Sequence, residues 1–272
     1  MKAHNIGRLL LLGSAVLALA RVEAPGQQAK LTALPARHFH GLRGGFVLYD
    51  LKEGTTTEYN QSVCRRRFSP ASTFKILNSL IGLETGVIPD EHFVIPWDSV
   101  RRDIASWNRD QDLASAIANS VVWYYQELAR RVGVRRIAHY VDTVGYGNRD
   151  ISGGIDHFWL GSTLAISPEE QIALLRRLYE GTLPFSRRAM DIVKSILILE
   201  RTDRYVLRGK TGFDTGPGGV AIGWFVGYVE RADDVYFFAC ATTSSHARRD
   251  GEKILARRKE IALEILKEMG IL

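Results

Sequence analysis

The fold is decided by residues 205–242, YVLRGKTGFDTGPGGVAIGWFVGYVERADDVYFFACAT. Runs rich in β-branched and aromatic residues occupy 205–211, 221–230 and 235–242, and glycine-rich or aspartate-rich segments separate them. This pattern predicts three strands joined by turns. A helical pattern over Leu255–Met269 follows them.

The other end of the chain is also β-rich. Gly45–Asp50 and Thr55–Tyr59 predict a hairpin. Between the two β regions the periodicity is helical, most clearly over Gln126–Tyr140 and over Pro168–Tyr179, where Ser167 begins a typical helix start. Strands at both ends with helices between them predict an α+β fold: one antiparallel β-sheet built from both termini, flanked by helices, plus a mostly helical lobe.

The composition is that of an ordinary globular protein. With 272 residues, 46% of them hydrophobic, the chain can bury a substantial core. Its net charge of +6 comes from scattered pairs such as Arg101-Arg102, with acidic residues between most of them. Such pairs are typical of solvated faces, whereas a nucleic-acid site concentrates basic residues on one stripe. We therefore expect no nucleic-acid partner, and we recognise no ligand constellation that would predict a metal.

The first residues predict a signal peptide. Lys2 and Arg8 precede the apolar run Leu9–Ala20, and Val22-Glu23-Ala24 offers a small residue for cleavage. The run is shorter than the roughly twenty residues that span a bilayer. We expect residues 1–24 to be removed on export, leaving residues 25–272 as one soluble domain without a membrane anchor, in the bacterial periplasm.

Only two cysteines are present, Cys64 and Cys240. An oxidising compartment would allow them to form a disulfide. Cys240 ends a strand-like apolar run, so the alternative is that it serves as a small buried apolar side chain.

Ser69–Lys75, with the sequence SPASTFK, is the stretch most suggestive of catalysis. Ser69 is expected to cap a helix and Pro70 to fit its first turn, which places Ser72 in that turn as well. Residues three apart on a helix are neighbours, so the Lys75 amine should lie beside the Ser72 hydroxyl. Apolar flanks lower the pKa of a lysine, and a basic amine beside a hydroxyl suits nucleophilic catalysis. A Ser-x-x-Lys pair alone is a common coincidence.

Three other segments accompany this pair. Lys210-Thr211-Gly212 ends a predicted strand, where the lysine could hold an anionic substrate and Gly212 would let a ligand approach the main chain with no Cβ in the way. Ser120-Val121-Val122 precedes a helical pattern, and Tyr146-Gly147-Asn148 lies in a loop. Taken singly, the serine is typical of a helix cap and the Tyr-Gly-Asn of a turn.

Together these segments resemble the class D (oxacillinase-type) serine β-lactamases. The set is Ser-Thr-Phe-Lys at 72–75, Ser-x-Val at 120–122, Tyr-Gly-Asn at 146–148, Phe-Trp-Leu at 158–160 and Lys-Thr-Gly at 210–212, in that order. The similarity runs from about Gly45 to the C-terminus, which is most of the chain.

The resemblance implies hydrolysis of small β-lactam antibiotics, and therefore resistance to them. Ser72 would be acylated by the lactam carbonyl. Lys75, carrying a carbamate made with CO₂ or bicarbonate, would be the general base for acylation and for the deacylating water, and no metal is implied. Trp159 matches the residue whose indole N–H binds the carbamate, and Val122 and Leu160 would shield that group from water.

The resemblance also assigns the remaining substrate contacts. Ser120 would relay a proton toward the leaving nitrogen, beside the Lys210 cation that attracts the substrate carboxylate. The oxyanion hole would consist of the backbone N–H groups of the nucleophile and of Phe213. Arg258 falls where the family places an arginine that pairs with the carboxylate. Arg257 is one residue away and could take this place instead. Alternatively, either arginine could simply be a solvent-exposed charge on a helix.

Two segments depart from the family pattern. Gly161-Ser162 follows Trp159-Leu160, where many members carry an acidic residue and then glycine. The connection 214–219 is short and glycine-rich, so the resemblance does not define the rim of the site.

Two related functions share the Ser-x-x-Lys and Lys-Thr-Gly pattern. A penicillin-binding transpeptidase and a β-lactam sensor domain would both be acylated without fast deacylation. The combination of Trp159 with Tyr146-Gly147-Asn148 favours the hydrolytic class. The lack of a later apolar run of spanning length is a further argument against a tethered sensor.

Overall fold

A computed structural model describes residues 34–272. Its strands are β1 Arg43–Asp50, β2 Thr55–Tyr59, β3 Ile198–Arg201, β4 Tyr205–Thr215, β5 Ala221–Arg231 and β6 Val235–Ser244. They form one antiparallel sheet in the order β2-β1-β6-β5-β4-β3. β1 pairs with β6 from Arg43↔Thr243 to Asp50↔Tyr236. The prediction of one sheet built from both ends of the chain is therefore confirmed.

The α-helices are inserted mostly between β2 and β3. Over residues 34–272 they are α1 Gln61–Cys64, α2 Lys75–Glu84, α3 Leu113–Ala118, α4 Val122–Val132, α5 Val134–Val144, α6 Pro168–Glu180, α7 Arg187–Ile196 and α8 Ala247–Glu268. Single 3₁₀ turns lie at Leu34–Phe39, Ala71–Phe74, Ala105–Trp107 and Pro217–Gly219. α1 to α7 form the helical lobe, and α8 closes the chain.

The sheet separates two hydrophobic cores because successive residues of a strand point to opposite faces. On β5, Trp224 and Val226 pack with the helical lobe, whereas Phe225 and Val229 pack with the apolar residues of α8. Ala221–Val229 is accordingly buried without interruption. A sheet covered on both faces is a rigid platform for any group on its edge.

Two helices differ from the prediction. The pattern over Gln126–Tyr140 is split into α4 and α5 at Gly133, whose φ of 86° and ψ of 151° end one helix and begin the next. The last helix begins at Ala247 rather than Leu255, because its first two turns are mainly polar and show no apolar period. By contrast, the predicted start of α6 is confirmed: the Ser167 hydroxyl accepts the N–H of Glu170 at 3.2 Å.

The two cysteines lie on opposite faces of the sheet. Cys64 belongs to the core under the helical lobe, and Cys240 to the core under α8. Both thiols are buried and free, and burial raises the pKa of each to about 12. The sheet between them prevents a disulfide, so Cys240 takes the apolar role.

The predicted signal peptide, residues 1–24, lies outside the described residues, and the domain boundary at residue 25 stays a prediction. Between residues 34 and 272 none of the helices is both long enough and apolar enough to cross a bilayer.

Candidate active site

Ser72 lies in the 3₁₀ turn Ala71–Phe74, which leads directly into α2. Lys75 is the first residue of α2, and its Nζ lies 2.6 Å from Ser72 Oγ. The helical spacing of three residues thus produces the expected contact. Ala71 is fully buried with a φ of 48°, a left-handed conformation that is strained for a residue with a Cβ. Strain next to a reactive group is typical of functional turns.

The prediction that Ser69 caps this helix is wrong. Pro70 precedes the turn in a helical conformation, and no side chain caps it. The Ser69 hydroxyl instead lies 2.7 Å from Asp214 Oδ2 and 3.1 Å from the carbonyl oxygen of Trp159, and it accepts the N–H of Gly161 at 3.0 Å. These partners are distant in sequence, so no local pattern indicated them.

The Lys75 amine is fully buried. Its Nζ lies 3.0 Å from the carbonyl oxygen of Ser120 and 3.2 Å from Ser120 Oγ, and it sits 5.5 Å from the ring centre of Tyr125. Burial holds the pKa of Lys75 well below its usual range, and the nearby Lys210 cation lowers it further. A lower pKa increases the neutral fraction of an amine, and a neutral amine can accept a proton from the Ser72 hydroxyl.

Ser120 connects the two lysines. Its hydroxyl lies 3.0 Å from Lys210 Nζ, which also donates to the carbonyl oxygen of Thr211 at 3.1 Å. Ser120 has a φ of 55°, which places both its carbonyl and its hydroxyl at Lys75. Burial lowers the pKa of Lys210 to about 7, with a smaller contribution from the charge of Arg258. Ser72, Lys75, Ser120 and Lys210 form one continuous hydrogen-bonded chain.

The outer edge of β4 is free near the nucleophile. β3 pairs with β4 only as far as Arg208, and β4 pairs with β5 in unbroken register. The N–H groups along a strand alternate in direction. Gly209 donates its N–H to the carbonyl of Leu197 on the β3 side, at 3.0 Å. Phe213, four residues later, therefore points its N–H to the same side, where no strand covers it in the described structure.

This edge faces the turn that carries Ser72. A Cβ on Gly212 would lie 3.1 Å from the Pro70 carbonyl oxygen and 3.3 Å from Thr73 Cγ2. The absence of a Cβ at Gly212 thus allows β4 and the turn to approach each other closely. The ligand access predicted from the sequence would be a second role of this glycine. The turn that carries Ser72 therefore packs directly against β4 at Gly212, the residue before Phe213.

Trp159 provides a buried donor behind the nucleophile. Its indole is fully buried and stacks on Phe74 with a centroid distance of 5.4 Å and an interplanar angle of 24°. The indole Nε1 has no hydrogen-bond partner among residues 34–272. An unpaired buried N–H is costly, which indicates that a further acceptor belongs here. Val122 and Leu160, predicted to shield the site, are both half-buried.

The Tyr146-Gly147-Asn148 segment holds the loop that carries Trp159. Asn148 donates its side-chain amide to the carbonyl of Thr163 at 2.7 Å and accepts the N–H of Ala165 at 2.9 Å. Gly147 has a φ of 51°, and a Cβ there would lie only 2.0 Å from the Ala165 carbonyl oxygen. The Tyr-Gly-Asn motif thus supports the loop from behind.

Of the two candidate arginines, Arg258 lies near Lys210. It lines a cavity of about 440 Å³ together with Lys210 and Thr211, and its Nε is buried without a partner in the described chain. Arg257 instead points to Glu264, with a nitrogen–oxygen distance of 3.4 Å. The Nε of Arg257 is also buried without a partner in the described chain, so the two arginines are distinguished by the cavity that Arg258 shares with Lys210.

His38 and His40 form a His-x-His pair, a spacing that the sequence prediction about metals wrongly took to be absent. His38 lies 3.1 Å from Glu264 and 2.6 Å from Glu268, both on α8. In the described part of the chain no group of three or more His, Cys, Asp or Glu side chains is arranged to hold a metal ion.

Comparison with known proteins identifies the arrangement. Residues 17–267 match the family described as the penicillin-binding protein transpeptidase domain. The chain is 42% identical over 234 residues to the probable β-lactamase YbxI of Bacillus subtilis (strain 168), covering 86% of this chain and 84% of the relative. It is 43% identical over 237 residues to β-lactamase OXA-48 of Klebsiella pneumoniae, covering 86% and 87%.

A solved structure agrees with these sequence matches. The class D β-lactamase YbXI from Nostoc superposes with a TM-score of 0.82 at 42% identity, covering 88% of this chain and 99% of that one.

Proposed function

This chain belongs to the class D β-lactamases, within the penicillin-binding protein transpeptidase family, and we propose that it opens β-lactam rings through an acyl-enzyme on Ser72 with Lys75 as the proton acceptor. It is a serine β-lactamase, and such enzymes make their host resistant to the antibiotic. The observation that carries the proposal is the 2.6 Å contact between Ser72 Oγ and the buried Lys75 amine.

In the proposed acylation, Ser72 Oγ attacks the lactam carbonyl carbon and gives its proton to the group on Lys75. The N–H groups of Ser72 and Phe213 stabilise the negative oxygen, and loss of one such donor typically costs about 3 kcal/mol. When the lactam C–N bond breaks, the nitrogen takes a proton from the Ser120 hydroxyl. Ser120 recovers it from its neighbour Lys210, 3.0 Å away, or from Lys75, 3.2 Å away.

The residues around Lys75 fit a carbamate formed with CO₂. Carbamate formation requires an unprotonated amine, and burial favours that form by lowering the pKa of Lys75. The unpaired Nε1 of Trp159 is available to hold the carbamate oxygens. A carbamate would supply a base that acts in acylation and again on the deacylating water. Val122 and Leu160 would keep bulk water away from it.

The substrate carboxylate is proposed to bind in the cavity beyond Ser120. Lys210, Thr211 and Arg258 line that cavity together. A guanidinium fork matches a carboxylate well. A carboxylate there would also restore the charged form of Lys210, whose pKa burial has lowered to about 7.

Ser72→Ala tests the nucleophile directly. We expect a folded protein that neither turns over a chromogenic cephalosporin nor carries a penicillin adduct by intact mass. Ser195→Ala, at an exposed serine of α7, is the matched control and should retain both. An adduct that persists in Ser72→Ala would refute the assignment.

The time course of wild-type turnover separates hydrolysis from the two alternatives. Continued release of product over many equivalents is expected. A transpeptidase or a sensor domain would instead give a single burst equal to the enzyme concentration.

We also propose that residues 1–24 are a signal peptide and that the mature enzyme acts in the periplasm. Amino-terminal sequencing of the exported protein tests this. An intact Met1 on the exported protein would contradict it.

A further inference from the structure

Three segments that bring catalytic groups together meet at one hydroxyl, that of Ser69. Ser69 lies three residues before Ser72 along the chain. Its Oγ lies 3.1 Å from the carbonyl oxygen of Trp159 and 2.7 Å from Asp214 Oδ2, while its own carbonyl accepts the indole N–H of Trp224 at 2.8 Å. Asp214 directly follows Phe213. The nucleophile turn, the Trp159 loop and the edge of β4 are thus connected through a single side chain.

The Asp214 carboxylate is suited to hold this junction. Its Oδ2 accepts the Ser69 hydroxyl, and the nearby backbone N–H groups of Thr215 and Gly161 favour the ionised form. Burial nevertheless raises the pKa of Asp214, which means that the ionised form is disfavoured in the folded protein. At neutral pH this charge therefore reduces folding stability, and an equally sized neutral side chain would not.

Gly161 is shaped around the same carboxylate. Its φ is +60°, and a Cβ at this position would lie 3.0 Å from Asp214 Oδ1. The backbone of the Trp159 loop therefore packs directly against the Asp214 carboxylate. This is also the position at which the chain departs from the family pattern of an acidic residue.

We propose that Asp214 is a positioning residue for the reaction: through Ser69 it holds the Phe213 N–H, the Ser72 turn and the Trp159 indole in register. The inference rests on the proposed function of Ser72 and Lys75. It assigns to Asp214 no contact with the substrate.

Asp214→Asn is the informative variant because it keeps the volume and removes one acceptor. The single amide oxygen can still accept the Ser69 hydroxyl, but the NH₂ group then faces backbone donors. We expect the second-order rate of labelling by a fluorescent penicillin to fall about tenfold, as expected for a displacement of catalytic groups well under 1 Å. The melting temperature should stay close to the wild-type value, because removing the buried charge stabilises the fold while an NH₂ group that faces backbone donors destabilises it. Asp203→Asn, an exposed carboxylate in the β3–β4 turn, is the control and should label normally.

A second readout distinguishes positioning from general stability. If Trp159 is displaced, the bicarbonate concentration that gives half-maximal turnover should rise in Asp214→Asn. Ser69→Ala should have the same effect, and the double variant should be no worse than the poorer single variant, because both act through one contact. Wild-type labelling and wild-type bicarbonate dependence in Asp214→Asn would overturn the proposal, as would a lower melting temperature with unchanged labelling.

Labelling measures acylation whether or not the acyl-enzyme is later hydrolysed. A wild-type protein that is labelled but not turned over would therefore refute the hydrolytic function and still leave the role of Asp214 open to measurement by labelling. A wild-type protein that is never labelled would overturn both.

Discussion

Replacing Trp159 by phenylalanine tests whether the unpaired indole N–H serves the group on Lys75. The substitution keeps an aromatic ring to stack on Phe74, now 5.4 Å away, and to meet Phe158, now 4.9 Å away. It removes the Nε1 donor, which has no partner among residues 34–272. The packing of the pocket is thus largely preserved while the indole donor is lost.

The magnitude follows from the type of hydrogen bond. A hydrogen bond to a charged group contributes about 1.5–3 kcal/mol. Since about 1.4 kcal/mol corresponds to a tenfold change in an equilibrium constant, Trp159→Phe should weaken carbamate formation roughly 10- to 100-fold. Turnover at saturating bicarbonate should recover most of the wild-type rate, because Ser72 and the oxyanion donors are untouched.

The thermal stability of Trp159→Phe, measured with and without bicarbonate, provides a second test of the indole N–H. Without bicarbonate the wild-type indole N–H is buried and unpaired, a cost of about 1–3 kcal/mol that the variant avoids. The smaller ring leaves a small void, which costs a similar amount. The two terms oppose each other, so the melting temperatures in CO₂-free buffer should be close. Added bicarbonate should stabilise the wild type more than the variant, because a ligand stabilises the state that binds it.

The assay is a bicarbonate titration of chromogenic cephalosporin turnover in buffer freed of CO₂. Trp97→Phe is the control, because the Trp97 indole already donates to the Val100 carbonyl at 3.1 Å, away from Lys75. It should show the wild-type bicarbonate dependence. If Trp159→Phe also showed that dependence, the unpaired donor would have no role in the carbamate.

Three further predictions concern charge, close approach and thiols. Lys210 has a pKa of about 7, so kcat/KM for carboxylate-bearing substrates should fall as the pH rises through that value. Arg258→Gln removes a like charge, which should raise the pKa of Lys210 and move this fall in kcat/KM to higher pH. A fall that stays at the wild-type pH would contradict the interaction between Arg258 and Lys210. Gly212→Ala should slow penicillin labelling about tenfold, since its Cβ would lie 3.1 Å from a backbone oxygen of the nucleophile turn, and a wild-type labelling rate would refute the close approach. When the folded protein has been kept in oxidising buffer and is then unfolded without oxidant, Cys64 and Cys240 should titrate as two free thiols. A reductant should leave the melting temperature unchanged. Thiols that can be titrated only after reduction would refute the separation of the two cysteines.

Local patterns in the sequence were sufficient for the central catalytic pair and for every strand of the sheet except the four-residue edge strand β3, Ile198–Arg201, which was missed. Alternation and turn residues placed the strands, and the start of α6 followed from a capping box, because these features depend on neighbours within a few residues. Ser72 and Lys75 meet for the same reason, as they are three residues apart. The break at Gly133 was missed because the helical periodicity continues across it. The start of α8 was missed because its first two turns are mainly polar.

Tertiary structure decided what depends on distant partners. The hydroxyl of Ser69 bonds to Asp214, 145 residues away, rather than capping its own helix. Ser120 meets Lys210 across 90 residues. The choice of Arg258 over Arg257 likewise required the packed molecule. A sequence pattern reports which face of a helix or strand a side chain occupies, but the atom it finally contacts is determined only when separate elements pack together.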